Sequence, residues 1–499
     1  MIGRMDVLPQ GARLALALVA VYFIALKLLF AFWAFPIADE AYYWMWGRHP
    51  ALSYFDHPPL QAWLQGLSHL VLGRSLFALR WPTFAALAAI VWVFYRVARR
   101  LGGDNWRDIL LVSVVIYLAS PVFGFFGSAV FNDYLLVALL MLSGYFFFCF
   151  FADVEERGHG GTRDLMLAAV LLGLAGLTKY NAVFLGLGVA GTVLARPKLR
   201  PLLGGWQIYA AAVVSAGLQA PVLVWNFGEG LASFRFHLGG RFDSHVTGLD
   251  IGRMKGVALD TASLFSLFLV PVVGRFFLSS SRDPFVKVGK TLAIWVFWLS
   301  SFTFLYIASY AWVLWWWNIA AFVLILPFAW RYIGPVLLTL HIIWGAAITT
   351  ALIVSFAVVP VTVLWGAAPI LEAERAYGWD DIAAAVEAAR TRFGIDVLAA
   401  NRYQTASQLG FALDTGNVQA LSPRHDQFDY WLDAEVMDGQ DAVILVDPSE
   451  DSDYWKASFA AWEKIGEIPV ERFGYPLKTY ELYLGKRFAG DREAAPAGK

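Results

Sequence analysis

Long apolar segments with few charges constrain the fold of this chain more than any other feature of its sequence. A helix needs roughly 20 mostly apolar residues to cross the hydrocarbon core of a bilayer. The chain has 499 residues, of which 59% are hydrophobic and 15% charged. Because soluble domains carry roughly 25% charged residues, we predict an α-helical, multi-pass membrane protein with about eleven transmembrane helices. The predicted spans lie near residues 14–35, 76–98, 109–125, 131–151, 165–178, 181–195, 205–225, 256–277, 291–309, 312–330 and 335–365.

Basic residues predict the orientation of these spans. The first segment follows a basic amino terminus but lacks a small-residue cleavage site, so we expect it to remain as a span. With eleven spans, the basic clusters at 96–107, 157–163, 196–200 and 275–290 all lie on one side. The positive-inside rule makes that side, and the amino terminus, cytoplasmic. The stretch at 59–72 is too polar and short to span, and we expect an interfacial helix there.

The composition changes after Pro369, where acidic and polar residues become frequent. We assign residues 1–366 to a membrane domain and residues 367–499 to a small extracytoplasmic α/β domain. Its lack of cysteine excludes a disulfide framework, since Cys149 is the one cysteine of the chain. Sequence periodicity predicts helices at 380–393, 402–413 and 454–464, and strands at 396–400, 442–446 and 478–484.

Two carboxylates, Asp39 and Glu40, follow the first span among tyrosine and tryptophan residues. They could simply mark the solvated end of that span, and the aromatic residues could form an interfacial belt. A carboxylate in a half-apolar site, however, loses hydration, and its pKa rises toward the working range of a general base. We therefore consider Asp39 and Glu40 as catalytic candidates.

Asp56 and His57 form a second polar group, directly before Pro58. They could be an ordinary polar turn. They could also bind a phosphate or a divalent metal ion, because carboxylate and imidazole groups are common metal ligands. Their spacing is not diagnostic of a metal, and we expect no other cofactor.

Further polar residues fall on the predicted outer side. Asn132 and Asp133 begin the fourth span, and capping of that helix would explain Asn132. Lys179 lies between the fifth and sixth spans, where snorkelling toward the interface would also explain it. His237 and Arg241 lie in an outer loop, where a phosphate-bearing ligand would account for their charge.

No nucleotide-binding motif accompanies these residues: the sequence has neither a Walker loop nor a dinucleotide-binding glycine pattern with its acidic partner. A sugar transferred by this chain would therefore come from a lipid phosphate rather than a nucleotide. The net charge of −1 gives no reason to expect a nucleic-acid partner.

Several motifs, taken in order, resemble those of the GT-C fold glycosyltransferases, in the branch of protein mannosyltransferases and lipid A aminoarabinose transferases (glycosyltransferase families 39 and 83). The resemblance covers nearly the whole chain. The motifs are ADEAYYW (38–44), YFDHPPL (54–60), LRWPT (79–83), NDYLL (132–136), GLTKYN (176–181), NRYQTASQLGFAL (401–413) and QFDYW (427–431).

The resemblance implies an enzyme that moves a monosaccharide from a polyprenyl phosphate to an acceptor, with inversion, at the periplasmic face of a bacterial inner membrane. The acceptor would be lipid A or lipopolysaccharide, a phospholipid, a glycan or a protein. The first-loop acid of the family falls on Asp39, and a second acidic position on Asp133. The basic position that meets the lipid phosphate falls on Lys179.

Other site residues are predicted with less support from the family pattern. His57, predicted to bind phosphate or a metal ion, stands where aminoarabinose transferases have a lysine, so this position departs from the family pattern. Together with Arg241 and His237 it completes the predicted phosphate site. Tyr42, Tyr403 and Gln404 are predicted to contact the acceptor.

Two other functions remain open on sequence grounds. A secondary transporter places ionisable residues in mid-membrane on broken helices, whereas most charges here lie at span ends. An O-antigen polymerase or ligase would use a diphosphate donor. The sequence specifies neither the sugar, nor the acceptor, nor the oligomeric state.

Overall fold

The computed structural model describes residues 7–240, 249–449 and 453–489 and is mostly helical. The described helices, in chain order, are α1 (Gln10–Trp33), α2 (Ala38–Arg48), α3 (Leu60–Leu72), α4 (Leu76–Leu101), α5 (Trp106–Leu118), α6 (Pro121–Phe126), α7 (Asn132–Arg157), α8 (Thr162–Gly176), α9 (Val183–Ala195), α10 (Trp206–Gly217), α11 (Ala220–Gly228), α12 (Ala232–Leu238), α13 (Ile251–Phe265), α14 (Val270–Leu278), α15 (Pro284–Ala308), α16 (Ala320–Val323), α17 (Leu326–Ala329), α18 (Pro335–Ala357), α19 (Trp379–Phe393), α20 (Tyr403–Leu413) and α21 (Ala434–Met437).

Five of the described helices are long and apolar enough to cross a membrane: α1, α4, α7, α15 and α18. Two bent pairs raise this number to as many as seven, α10 with α11 at 46° and α13 with the stretch Leu267–Leu278 at 88°. The predicted count of eleven is not confirmed and stays a prediction, as does the orientation of the termini. The predicted interfacial helix at 59–72 corresponds to α3.

Several predicted spans are shorter or interrupted in the structure. α8 and α9 have 15 and 13 residues. The span predicted at 109–125 breaks between α5 and α6, where Pro121 opens the new helix. Proline has no N–H to donate and disturbs the interior of a helix, so it is favoured in the first turn.

The described chain divides into two compact units, each discontinuous in sequence. The helical unit comprises Met1–Leu28, His57–Gln61 and Trp81–Thr350. The sheet unit comprises Leu29–Asp56, Ala62–Arg80 and Ala351–Lys499. The sheet unit thus includes α2 and its loop as well as the carboxyl-terminal region. The predicted domain boundary at residue 366 stays a prediction.

In the helical unit, α7 lies at the centre and packs against α8 and α15. Its side chains are mostly buried, which explains its nearly continuous apolar sequence. α18 packs so closely against the end of α5 that residue 345 must be glycine. A Cβ atom on Gly345 would lie 1.7 Å from the carbonyl oxygen of Ala119.

A five-stranded sheet forms the core of the carboxyl-terminal part of the sheet unit. The strands are β1 (Val397–Ala400), β2 (Val418–Ala420), β3 (Ala442–Val446), β4 (Phe459–Arg472) and β5 (Tyr475–Phe488). The order of the sheet is β2-β1-β3-β5-β4, with β1 parallel to β2 and β3, and β5 antiparallel to β3 and β4. α19 and α20 match two predicted helices, and the predicted α/β character is confirmed.

The helix predicted at 454–464 is wrong. Only a short 3₁₀ turn, Tyr454–Ser458, precedes β4. β4 and β5 form a long hairpin whose turn at Phe473 and Gly474 has positive φ angles of 51° and 79°. The alanine and glutamate residues of β4 favour helix locally, but pairing along 14 residues of β5 outweighs that preference.

Candidate active site

The predicted catalytic carboxylates lie in the first turn of α2, in the sheet unit. The chain enters this helix through Ile37, whose backbone is extended (ψ 160°) and whose N–H donates to Glu40 Oε2 over 3.2 Å. Acidic side chains are favoured here because they face the positive end of the helix dipole. Asp39 is half-buried, whereas Glu40 is fully buried.

Glu40 forms a buried ion pair with Arg80 of α4. The Arg80 guanidinium donates to Glu40 Oε1 over 2.8 Å and to Oε2 over 2.5 Å, and both side chains have 0% exposure. Arg80 also donates to the carbonyl oxygens of Phe30 and Ala34, over 2.8 and 2.7 Å, at the end of α1. These contacts favour an orienting role for Glu40. Its predicted catalytic role stays untested, and the sequence had singled out Arg80 only as part of a motif.

Asp56 links the loop between α2 and α3 to the segment that follows β2. Its Oδ2 accepts from the Tyr42 hydroxyl over 2.8 Å, and its Oδ1 accepts from Arg424 Nη2 over 2.8 Å. The backbone N–H of Gln427 donates to the Tyr42 hydroxyl over 2.8 Å, and Phe55 N donates to Gln427 Oε1 over 2.7 Å. The sheet unit therefore holds this loop through a connected hydrogen-bond network.

Two of the predicted acceptor-binding residues lie together: Tyr42, which belongs to this network, and Tyr403. The rings of Tyr42 and Tyr403 have centroids 4.7 Å apart, and the Arg424 guanidinium lies 4.5 Å from the Tyr403 ring centroid. Burial raises the pKa of Tyr403 above its usual value, and the negative charge of Asp39 raises it further. The third residue, Gln404, accepts a hydrogen bond from Arg402 over 3.0 Å.

The surroundings of Asp56 do not fit a divalent metal ion. Both of its carboxylate oxygens accept hydrogen bonds, one of them from the cationic Arg424 guanidinium, which would repel a metal cation. Among the described residues, no group of three or more His, Cys, Asp or Glu side chains is suited to hold a metal.

The helical unit brings together a second set of predicted residues. Lys179 Nζ donates to Asp133 Oδ1 over 2.7 Å, and both side chains are buried. Lys179 lies in the turn after α8, and Asp133 in the first turn of α7. The predicted phosphate ligand and the second predicted acid are thus partners in an ion pair.

Two predicted histidines lie close to each other in the same unit. The ring of His237 lies 5.8 Å from that of His57 and 5.0 Å from that of Tyr180, measured between centroids. The Tyr180 hydroxyl and Ser233 Oγ are hydrogen-bonded at 2.9 Å. Arg241, the remaining predicted phosphate ligand, lies outside the described residues.

An apolar cavity of about 500 Å³ adjoins Tyr180. Its walls come mainly from α8, α9 and α10, and Gly186 and Leu172 are among the residues that line it. A volume of this size is within the usual range for small-ligand pockets. Because most of the lining side chains are apolar, the cavity suits a hydrocarbon chain.

Asp426, which interacts electrostatically with Asp56 and Arg424, has a clearly shifted pKa. Burial raises its pKa to about 7, and the negative charges of Asp56 and Asp429 act in the same direction against Arg424. The sequence analysis did not single out Asp426, which directly precedes the QFDYW motif, or Arg424, which lies three residues before it. Neither has a local pattern that reveals burial.

The raised pKa of Asp426 predicts a specific pH dependence of stability. The folded chain holds this proton up to about pH 7, whereas an unfolded aspartate loses it near pH 4. The contribution of Asp426 to the free energy of unfolding should therefore fall as pH rises from about 4 to 7, by up to about 4 kcal/mol. Relative to wild type, Asp426→Asn should become more stable as pH rises, as measured by thermal unfolding in detergent. Asp438→Asn, at an exposed position of the same unit, is the control. A wild-type-minus-variant difference that is constant with pH would contradict the assignment.

Comparison with known proteins gives three kinds of similarity. Residues 56–225 match the family model described as dolichyl-phosphate-mannose-protein mannosyltransferase. The lipid A galacturonosyltransferase RgtD of Rhizobium johnstonii is 28% identical over 197 residues, which is 38% of this chain and 38% of that protein. The aligned part thus spans well under half of the curated relative.

The similarity to solved structures extends over nearly the whole chain. The crystal structure of ArnT from Cupriavidus metallidurans in the apo state has a TM-score of 0.58 at 14% identity. The structure of the same protein bound to undecaprenyl phosphate has a TM-score of 0.59 at 12% identity. Each comparison covers 95% of this chain and 98% of the other. The chain is a multi-pass membrane protein with the GT-C fold of ArnT.

Proposed function

We propose that this chain is an inverting membrane glycosyltransferase that moves a monosaccharide from a polyprenyl phosphate to lipid A or a related lipid acceptor. The observation that carries the proposal is Asp39, half-buried in the first turn of α2 beside the Glu40–Arg80 pair. The galacturonosyltransferase name of the curated relative and the undecaprenyl phosphate bound to ArnT support it. We place the reaction at the periplasmic face of a bacterial inner membrane, with the amino terminus in the cytoplasm.

The reaction proposed for Asp39 is a direct displacement. The acceptor hydroxyl oxygen attacks the anomeric carbon while the Asp39 carboxylate takes its proton. The bond between the anomeric carbon and the phosphate oxygen breaks, and polyprenyl phosphate leaves with the electron pair. Attack opposite to the leaving group inverts the anomeric configuration.

Lys179 and the nearby histidines are the proposed phosphate-binding groups. An ammonium group has three N–H donors, and Asp133 accepts one of those of Lys179. This contact orients the ammonium group, which can then stabilise negative charge on the leaving phosphate. The apolar cavity that adjoins Tyr180 is the proposed site of the isoprenoid chain.

Asp39→Asn tests the role of the proposed base. We expect transfer to fall by about 10²–10⁴-fold, because the variant keeps the size of the side chain but loses its basicity. The assay uses purified protein in proteoliposomes with lipid A and a donor panel. The panel consists of undecaprenyl phosphate that carries galacturonic acid, aminoarabinose, glucose or mannose.

Two variants control for indirect effects. Asp104→Asn, at an exposed position, should keep wild-type turnover. Glu40→Gln should lower thermal stability, because it leaves Arg80 buried without its anionic partner. Near-wild-type transfer by folded Asp39→Asn protein would sink the assignment of the base.

Gly186→Leu tests the proposed site of the isoprenoid chain. A Cβ atom at Gly186 would meet only Leu172, at 3.8 Å, so a leucine should extend into the cavity without disturbing α9. The loss of contact with about one isoprene unit should raise KM for the undecaprenyl donor about tenfold. A donor with only two isoprene units should be less affected.

Gly274→Leu is the matched control, since its Cβ atom would also meet open space but Gly274 does not line the cavity. Both variants exchange a helical glycine for a good helix former, so neither should lose stability. If donor KM were the same for Gly186→Leu, Gly274→Leu and wild type, the isoprenoid chain would have to lie elsewhere.

A further inference from the structure

The start of α7 is buried and lacks a side-chain cap. The first N–H groups of any helix have no partner within the helix and usually receive one from an N-cap side chain. In α7 the N-cap residue is Phe131, which has no capping group, and Asn132 is already the first helical residue. Capping, which the sequence suggested for Asn132, is therefore not its role.

Asn132 is buried without using its hydrogen-bonding capacity. It is 1% exposed, and within residues 7–240, 249–449 and 453–489 neither Oδ1 nor Nδ2 of its amide has a hydrogen-bond partner. Most buried polar side chains in proteins do have partners, so such a group calls for an explanation. A ligand that enters from outside would supply one.

Gln61, the second residue of α3, also has a buried amide, and only one of its two polar atoms is hydrogen-bonded. It is 0% exposed, and its Oε1 accepts from the Tyr134 hydroxyl over 2.8 Å. Its Nε2 has no hydrogen-bond partner in the described part of the chain.

Three contacts connect these amides to the Asp133–Lys179 pair. The Tyr134 hydroxyl ties the start of α7 to α3 through Gln61. Leu60 N donates to the Leu177 carbonyl over 2.8 Å, which ties α3 to the turn before Lys179. Lys179 in turn bonds to Asp133, directly after Asn132. The starts of α3 and α7 and this turn therefore form one polar cluster inside the helical unit.

The chemistry of the cluster indicates what it would bind. Asp133 and Lys179 balance each other in charge, and the remaining groups are neutral amides. The Asn132 amide offers two N–H donors and an acceptor, and Gln61 offers further donors. A phosphate or carboxylate group would use only the donors, and a metal ion only the acceptor. Hydroxyl groups, which donate and accept, would use both.

We propose that Asn132 and Gln61 form a subsite for hydroxyl groups of the sugar on the donor lipid. This inference rests on the proposed function and extends it from the phosphate and the isoprenoid chain to the sugar itself. Sites that hydrogen-bond a substrate hydroxyl discriminate strongly, because analogues without it leave buried polar groups unpaired. The two amides would thus contribute to the choice of sugar.

The test compares two lipids on the full-length protein in nanodiscs. One is undecaprenyl phosphate without a sugar, and the other is the member of the donor panel that wild-type protein transfers. Asn132→Leu replaces the amide by an apolar group of similar size. It should raise the Kd of the sugar-bearing lipid roughly 10- to 100-fold, for the loss of about two hydrogen bonds. The Kd of the bare lipid should change by less than about twofold.

Gln61→Met is a second variant that does not depend on the folding of Asn132→Leu. It keeps the length of the side chain and its lack of charge but removes the amide, so it should raise the Kd of the sugar-bearing lipid up to about tenfold and leave the Kd of the bare lipid unchanged. Asn318→Leu is the matched control. Asn318 is a buried amide whose two polar atoms already contact Ser300 and Ser301, so any effect of this variant should be equal for both lipids.

The outcomes separate the subsite from the proposed function. Equal changes for the two lipids, or no change for either, would overturn the subsite, and the second result is expected if ordered water alone fills the cluster. Wild-type protein that binds neither lipid would overturn the proposed function and the subsite with it.

Discussion

The buried ion pair between Glu40 and Arg80 is the interaction on which the candidate active site most depends. A buried ion pair is stable only when the hydrogen-bonding groups that the two side chains do not use on each other also have partners. Arg80 meets this condition through both oxygens of Glu40 and through the carbonyl oxygens of Phe30 and Ala34. The end of α1, the first turn of α2 and α4 are thereby joined at one point, and Asp39 is held beside it.

Neighbouring carboxylates in this chain have different surroundings. Glu40 is enclosed and neutralised by a guanidinium, whereas Asp39 is half-buried near the Tyr403 ring. Asp56 is bound by Arg424 and Tyr42, while Asp426, close to the same arginine, has a pKa raised to about 7 by burial. A carboxylate enclosed in a saturated ion pair is poorly suited to gain a proton during a reaction, which weighs against Glu40 as the base.

The sequence predicted those features that depend on local pattern. Long apolar runs located the apolar helices approximately. The regular periodicity of α19 and α20 predicted these helices, and a short apolar run predicted β3. The predicted fold is confirmed by the similarity to ArnT. The ion pair of Lys179 and Asp133 joins two residues that the motifs had already singled out.

Features that depend on distant contacts could not be predicted in this way. Arg424 contacts Asp56 across 368 positions of sequence, and nothing near either residue indicates the other. β4 is a strand because β5 pairs with it, although its composition favours a helix. The role of Asn132 depends on where α7 begins, and a shift of one residue separates a cap from a buried amide.

The fate of the donor lipid is the most direct test of the account. Proteoliposomes with wild-type protein, the donor panel and lipid A would be analysed by mass spectrometry of the lipids and by NMR of the anomeric centre of the product. We expect one undecaprenyl monophosphate for each sugar transferred, and an anomeric configuration opposite to that of the donor. Release of undecaprenyl diphosphate, retention of configuration, or passage of the sugar across the membrane without cleavage of its bond to phosphate would contradict it.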